Sequence, residues 1–175
     1  RDCYLLMSIN IPDGVTSIGE KAFYECRSLT CMNIHDSVMN IGCEAFYGCS
    51  SLTSVNIPDS VISIGEYAFY NCCSLISVAI GSGVKIIGDY AFSDCRSLTS
   101  INIPESVTSI GNRAFYGGLI QYLKGVGYVD KWAVSCDKSV TNVELKADTV
   151  GIAGYAFSSC VSLTSINIPD SVTSI

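Results

Sequence analysis

Ten of the residues are cysteines, and their spacing decides which thiol chemistry is open to them. Cys3, Cys26, Cys49, Cys72, Cys95 and Cys160 each stand three positions after a recurring phenylalanine column, with Gly118 and Asp137 in that place in two irregular stretches. Side chains stacked about 4.8 Å apart with parallel Cβ vectors sit farther apart than the roughly 3.8 Å a disulfide prefers. The ladder is therefore expected to be small buried thiols at a tight turn, with some disulfides as an alternative. Zinc is a poor fit, because Cys72 and Cys73 are adjacent rather than spaced as CxxC and a single His cannot complete a typical site. Cys31, Cys43, Cys73 and Cys136 fall outside the ladder and are expected to be the exposed or reactive thiols.

The other chemically capable residues read as architecture. His35 stands in IHDS where other repeats have IPDS, so it replaces a turn proline. With one His, no Ser or Cys nucleophile in a recognisable motif and no base partner, no catalytic residues are assigned and no enzyme activity is expected. Asp13, Asp36, Asp59, Glu105 and Asp170 form an acidic column just after the turn proline. Turn chemistry on a solvated edge accounts for them. Calcium is an alternative for stacked carboxylates, but the Gly-Asp nonapeptide rhythm that would favour it is missing, so neither a metal site nor a cofactor is assigned. Tyr24, Tyr47, Tyr70 and Tyr116 follow the phenylalanine directly, while Tyr67, Tyr90, Trp132 and Tyr155 precede the Ala-Phe pair. Two aromatic stripes result, which suit either a binding surface or packing between neighbouring repeats.

These residues are positioned by a repeat. Ala-Phe recurs at Ala22-Phe23, Ala45-Phe46, Ala68-Phe69, Ala91-Phe92 and Ala114-Phe115, steps of 23 residues, and returns at Ala156-Phe157. Counting back from Phe157 by one period reaches Val134, 19 residues after Phe115, so a four-residue deletion is expected near Tyr116-Gly117-Gly118. Trp132 is then expected to fill the volume that Phe leaves. Within a regular coil, LTSVNIP alternates Val55 and Ile57 inward with Ser54 and Asn56 outward, the period of a half-buried strand. Pro58-Asp59-Ser60 turns the chain, and SVISIG forms a second extended piece. GEYAFYNC has room for a helical turn or two.

A coil of 23 residues cannot bury its own apolar face. The expected fold is a β-rich leucine-rich-repeat solenoid of stacked coils with short parallel strands and short helical turns. At about 4.8 Å per strand, seven or so coils give a rod on the order of 35 Å long. One solenoid fragment, 1–175, is expected: regular coils over 1–115, a divergent shortened coil over 116–142 and regular coils over 143–175, cut at both ends.

The order Ile-Pro, Ile-Gly, Ala-Phe, Cys, Ser-Leu, complete at Ile57 to Leu75, resembles the BspA-like leucine-rich repeats of surface proteins of anaerobic bacteria and some parasitic protists. The segment Tyr128 to Phe157 is similar to the divergent coil these proteins often carry. The resemblance implies an extracellular or cell-surface location and adhesion or host-protein binding. It implies no shared catalytic residues. An anoxic habitat would accommodate many reduced thiols.

A hydrophobic fraction of 49% with 15% charged residues excludes compositional disorder. A net charge of -6 with scattered basic residues excludes the footprint of a nucleic-acid partner. No apolar run reaches the roughly 18 to 20 residues of a membrane span, and RDCYLLMSI is not a signal peptide, so any export signal is expected outside the fragment. The expected function is recognition of a protein or glycan partner through the extended repeat face. Candidate contacts are the ridge Tyr24, Tyr47, Tyr70 and Tyr116 and the flat polar sheet Thr53, Ser54, Asn56, Ser77, Thr99, Ser100 and Asn102. The alternative is a filament or spacer built by self-association of uncapped solenoid ends.

Overall fold

In the computed structural model, which describes residues 3–175, each regular coil contributes two short strands; the second strands stack parallel from coil to coil throughout, whereas the first strands form a parallel pair and a parallel sheet of three. Arg1 and Asp2, the start of the expected first coil, lie outside the described residues. The first strands are β1 (Ser8–Asn10), β3 (Cys31–Asn33), β5 (Ser54–Ile57), β7 (Ser77–Ile80) and β9 (Ser100–Ile101). The second strands are β2 (Ser17–Ile18), β4 (Asn40–Ile41), β6 (Ser63–Ile64), β8 (Ile86–Ile87) and β10 (Ser109–Ile110), which form one continuous sheet. Registers such as Ile41 beside Ile64 and Ile64 beside Ile87 follow the 23-residue step. In β5 the alternation is as read from the sequence: Val55 and Ile57 are buried, Ser54 and Asn56 exposed.

The third side of each coil differs from expectation. GEYAFYNC and its copies form no helix; no described residue is helical. Instead the backbone N–H groups alternate in direction. Those of Ala22, Tyr24 and Cys26 close turns within their own coil, onto the carbonyls of Gly19, Lys21 and Phe23. Those of Lys21, Phe23 and Glu25 donate to Cys43, Ala45 and Tyr47 of the next coil, and the pattern repeats through Tyr90, Phe92 and Asp94, which donate to Asn112, Ala114 and Tyr116 at 2.7–3.0 Å. A helix would spend these donors inside the coil and leave nothing to bind its neighbour. Reversing every other donor requires left-handed backbone, and each turn has two such residues: Lys21 and Glu25, Glu44 and Gly48, Tyr67 and Asn71, Tyr90 and Asp94, Arg113 and Gly117. Such a conformation costs a non-glycine residue about 1–2 kcal/mol. The coil-to-coil hydrogen bonds offset that cost.

Inside this frame the phenylalanines stack. Phe23, Phe46, Phe69, Phe92 and Phe115 have centroids 5.2 to 5.7 Å apart and nearly parallel rings. Ladder thiols pack beside them, and Cys49, Cys72 and Cys95 donate to the carbonyls of Phe23, Phe46 and Phe69 at 3.2–3.3 Å. Burial pushes the Cys49 and Cys95 thiols up to about 12 and Cys72 well above its ordinary value.

After Phe115 the pattern changes. In place of a simply shortened coil, residues 121–136 form an antiparallel meander: β11 (Gln121–Leu123), β12 (Val126–Val129) and β13 (Trp132–Cys136). A two-residue loop at Lys124-Gly125, both with positive φ, suits the tight hairpin between β11 and β12. The start of β13 still serves as a solenoid strand. It lies parallel to β15 (Gly151–Ile152), pairing Trp132 with Gly151 and Ala133 with Ile152, and Lys131 accepts from Val150 as Lys85 accepts from Thr108. Beyond Ala133 the strand continues against β12 where a regular coil would make its Ala-Phe turn. Val134 is therefore a half-buried strand residue and not the successor of Phe115. Trp132 is buried against Gly151, where an added Cβ would lie 2.4 Å from the indole. Stacking resumes with β14 (Asn142–Glu144) on β16 (Ser165–Asn167). The core divides accordingly, into a large cluster through the regular coils and a smaller one built on Val126, Tyr128, Ala133, Val143, Leu145 and Ile152.

Candidate functional site

Tyr24, Tyr47 and Tyr70, predicted as a stripe, stack face to face at 4.8 and 4.9 Å. Each is half-buried, so one edge of the stack is open to solvent. Burial against the neighbouring coil raises the Tyr47 phenol above its ordinary value, as it does those of Tyr67 and Tyr70. Tyr116 does not continue this row, because the intervening position is the buried Ser93. The row sidesteps instead: Tyr70 meets Tyr67 edge-on at 5.5 Å, and Tyr67 stacks on Tyr90 at 4.8 Å. With Trp132 buried in the core and Tyr155 standing apart, exposed, five residues of the two stripes read from the sequence, Tyr24, Tyr47, Tyr70, Tyr67 and Tyr90, thus form one ridge. Tyr116 stands at its far end under the Arg113 guanidinium, 5.5 Å from the ring centre.

The polar sheet lies on another side of the coils. Thr53, Ser54, Asn56, Ser77, Thr99, Ser100 and Asn102 are all exposed. Ser54, Ser77 and Ser100 are register partners in one row, and Thr53 donates to the Thr30 carbonyl. Asn102 borders a cavity of about 450 Å³ whose wall includes Trp132, Asp130 and Val150, where the Asp130 carboxylate accepts from the Ile103 N–H.

His35 pairs with Asp13 at 2.7 Å, and its Nδ1 accepts from the Ser37 N–H, so it closes a turn as expected. Asp59 likewise accepts from the Ser82 N–H. Among the described residues no three His, Cys, Asp or Glu side chains converge as metal ligands. The thiol expectation needs two corrections. Cys3, a ladder residue expected to be buried, is exposed, because it stands in the first described coil with no coil stacked before it. Cys160, a ladder residue, forms a disulfide with Cys136, which lies outside the ladder, with Cα atoms 6.2 Å apart. The coil preceding Cys160 lacks the Ala-Phe turn whose Phe carbonyl binds the thiols of Cys49, Cys72 and Cys95, and the end of β13 brings Cys136 there instead. Among the remaining cysteines outside the ladder, Cys31 is exposed and Cys43 and Cys73 are partly exposed.

Sequence reasoning missed a cleft of about 400 Å³ at the end of the tyrosine ridge. Tyr90, Tyr116, Tyr122 and Tyr155 line it, together with Arg113 and Lys138. The signal that could have found it is the 19-residue step, since a coil without its turn leaves room between its neighbours.

Against this geometry the known proteins can be set. The BspA type leucine rich repeat region matches over residues 1–124 and 128–175, in six copies. The chain belongs to the BspA-type leucine-rich repeat family. The structure of a leucine rich repeat protein of T. pallidum aligns over 94% of this chain and 71% of that one, with 30% identity and a TM-score of 0.65. A leucine rich cell surface protein of Faecalibacterium prausnitzii aligns over 97% of this chain at 31% identity and TM-score 0.53, and the pneumococcal vaccine antigen PcpA over 94% at 20% identity and TM-score 0.61. PcpA, at that identity, supports the solenoid fold alone. The chain spans 56% and 51% of these last two proteins. A comparison with curated proteins returns no match. As a BspA-type repeat region the chain is a recognisable solenoid, and no described helix is long and apolar enough to cross a membrane.

Proposed function

We propose that this BspA-type solenoid is a non-enzymatic recognition module, displayed at the cell surface, that binds a protein or glycan partner through its extended repeat face. The observation that carries the reading is the tyrosine ridge: Tyr24, Tyr47, Tyr70, Tyr67 and Tyr90 form one continuous row of ring contacts, each ring half-exposed. Stacked rings are held rigid by their neighbours, so a partner that covers them pays little side-chain entropy. Tyr116 at the end of the row and the uncharged polar sheet, Ser54, Ser77 and Ser100 at its centre, extend the area available for contact. The surface location draws support from the F. prausnitzii relative, which is described as a cell surface protein.

The experiment is binding of the chain to a glycan array and to a panel of purified extracellular-matrix proteins, followed by two double variants. Tyr47→Ala/Tyr70→Ala should lower affinity for the selected partner at least tenfold, as expected for aromatic anchors at a binding centre. Ser54→Arg/Ser77→Arg tests the sheet. Loss from neither variant would end the repeat-face reading.

A further inference from the structure

The cleft between the halves has the shape of something the chain itself lacks. In every earlier coil, three alternate N–H groups of the Ala-Phe turn donate to three carbonyls of the next turn. By that register Arg113, Phe115 and Gly117 should donate onward, but β13 runs straight where the receiving turn would be. Their N–H groups have no protein acceptor among the described residues. On the opposite wall the 155–160 turn keeps the regular internal bonds, Ala156 to Ala153, Ser158 to Tyr155 and Cys160 to Phe157. Its outward carbonyls, on Gly154, Ala156 and Ser158, likewise accept no hydrogen bond from the protein. The two walls meet at one edge, where Gly154 donates directly to Ile110 at 2.7 Å, and diverge from there. Phe115 and Ala156 are buried residues, and open backbone groups at such positions are uncommon in folded proteins.

We propose that this cleft binds a short acidic peptide segment of a partner, whose backbone meets the open main-chain groups on its walls. A peptide carbonyl accepts from the Arg113 N–H, and peptide N–H groups donate to Ala156 and Ser158, the open main-chain groups among the residues that line the cleft. Main-chain bonds supply affinity and the flanking side chains supply choice. The charge preference follows from the lining. Arg113 and Lys138 form no ion pair, and no carboxylate lines the cleft, although the chain as a whole is acidic. Tyr90, Tyr116, Tyr122 and Tyr155 border the slot, and Ile120 and Val134 line it as well, so the inward residues of the peptide must be small. The inference deepens the recognition reading, naming a partner chemistry at the end of the ridge.

The test is an NMR titration of the whole chain with the capped tetrapeptide acetyl-Asp-Ala-Ser-Asp-amide. Saturable shifts at the amides of the cleft residues Arg113, Tyr116 and Ser158 are expected. A peptide with Lys in place of both Asp, and one N-methylated along its backbone, should each bind at least tenfold more weakly. Arg113→Gln/Lys138→Gln should weaken the acidic peptide about tenfold, the effect of losing charge-assisted hydrogen bonds, while leaving the shifts caused by a neutral acetyl-Ala-Ser-amide peptide unchanged. Both positions are exposed, and an unaltered spectrum away from the cleft verifies the fold. Absence of saturable shifts overturns the proposal. So does equal binding of the N-methylated peptide, or tighter binding of a glucuronic-acid disaccharide at the same amides, which would make the cleft a sugar site. Tyr47→Ala/Tyr70→Ala separates this inference from the wider reading. Peptide binding that survives in that variant, with the ridge test negative, keeps the cleft and removes the ridge; the reverse pattern keeps the ridge alone.

Discussion

The regular array up to Phe115 and the junction from Tyr116 to Cys136 satisfy the same backbone in opposite ways. In the array every turn is bonded to its neighbour, and the strands are parallel and only two to four residues long. In the junction the chain pairs antiparallel with itself, in strands of three to five residues, and leaves one face of the last regular turn open. Repetition thus makes a closed column, because each coil is the lid of the one before. The interruption makes the cleft. A repeat protein acquires a concave site where one coil departs from the pattern, since only there are groups shaped for a neighbour left without one.

The sharpest break in this contrast would come from the phenylalanine column. Phe69→Ala, in the middle of the array, should cost about 3 to 5 kcal/mol, whereas Val134→Ala should cost about 1 kcal/mol because Val134 is only half-buried. Urea unfolding of both variants measures this, and equal losses would restore Val134 to the Phe column. Next in size, Gly151→Ala should destabilise by about 1–3 kcal/mol, because its Cβ would strike the Trp132 ring. Gly19→Ala in the array meets open space and should be neutral or slightly stabilising. A neutral Gly151→Ala would mean that the indole is free to move.

The thiols sharpen the comparison further. Alkylation at pH 8 should label Cys31 quickly and Cys49, Cys72 and Cys95 slowly, while Cys136 and Cys160 react only after reduction. The folded values of Cys49 and Cys95 lie near 12, above the ordinary thiol value of 9.0, so the folded state holds these protons more tightly. Their contribution to stability is complete below about pH 9 and declines as pH rises toward 12. A urea midpoint that rises over that interval would contradict the buried ladder.

Hydrogen exchange reads a smaller difference. The N–H groups of Gly117, Gly118, Leu119 and Ile120 make no hydrogen bond to protein, so this stretch should exchange fastest among non-terminal segments. β12, buried at all four residues, should be protected. Protection of β12 would confine the weakness to the first few residues of the divergent stretch, and uniform exchange would refute the division. Smallest of all, Ser54→Ala on the exposed sheet should change stability by less than about 0.5 kcal/mol.

What the sequence determined by itself is everything that recurs. The 23-residue period, the inward Val55 and Ile57, the Phe and Cys columns and the parallel stacking were legible because a pattern imposed on every coil is read many times over. The tertiary structure decided what depends on neighbours. GEYAFYNC reads locally as a helical turn, yet its donors turn outward because the next coil offers carbonyls in register, a choice no single coil contains. The tyrosine stripes were visible, but not their merger through the edge contact of Tyr67 with Tyr70. The deletion before Val134 was visible too, but its result was not. A count of residues cannot distinguish a shortened coil from a meander that keeps one solenoid strand and omits the turn, because the energy that separates them lies in pairing between β12 and β13 and in the packing of Trp132 on Gly151.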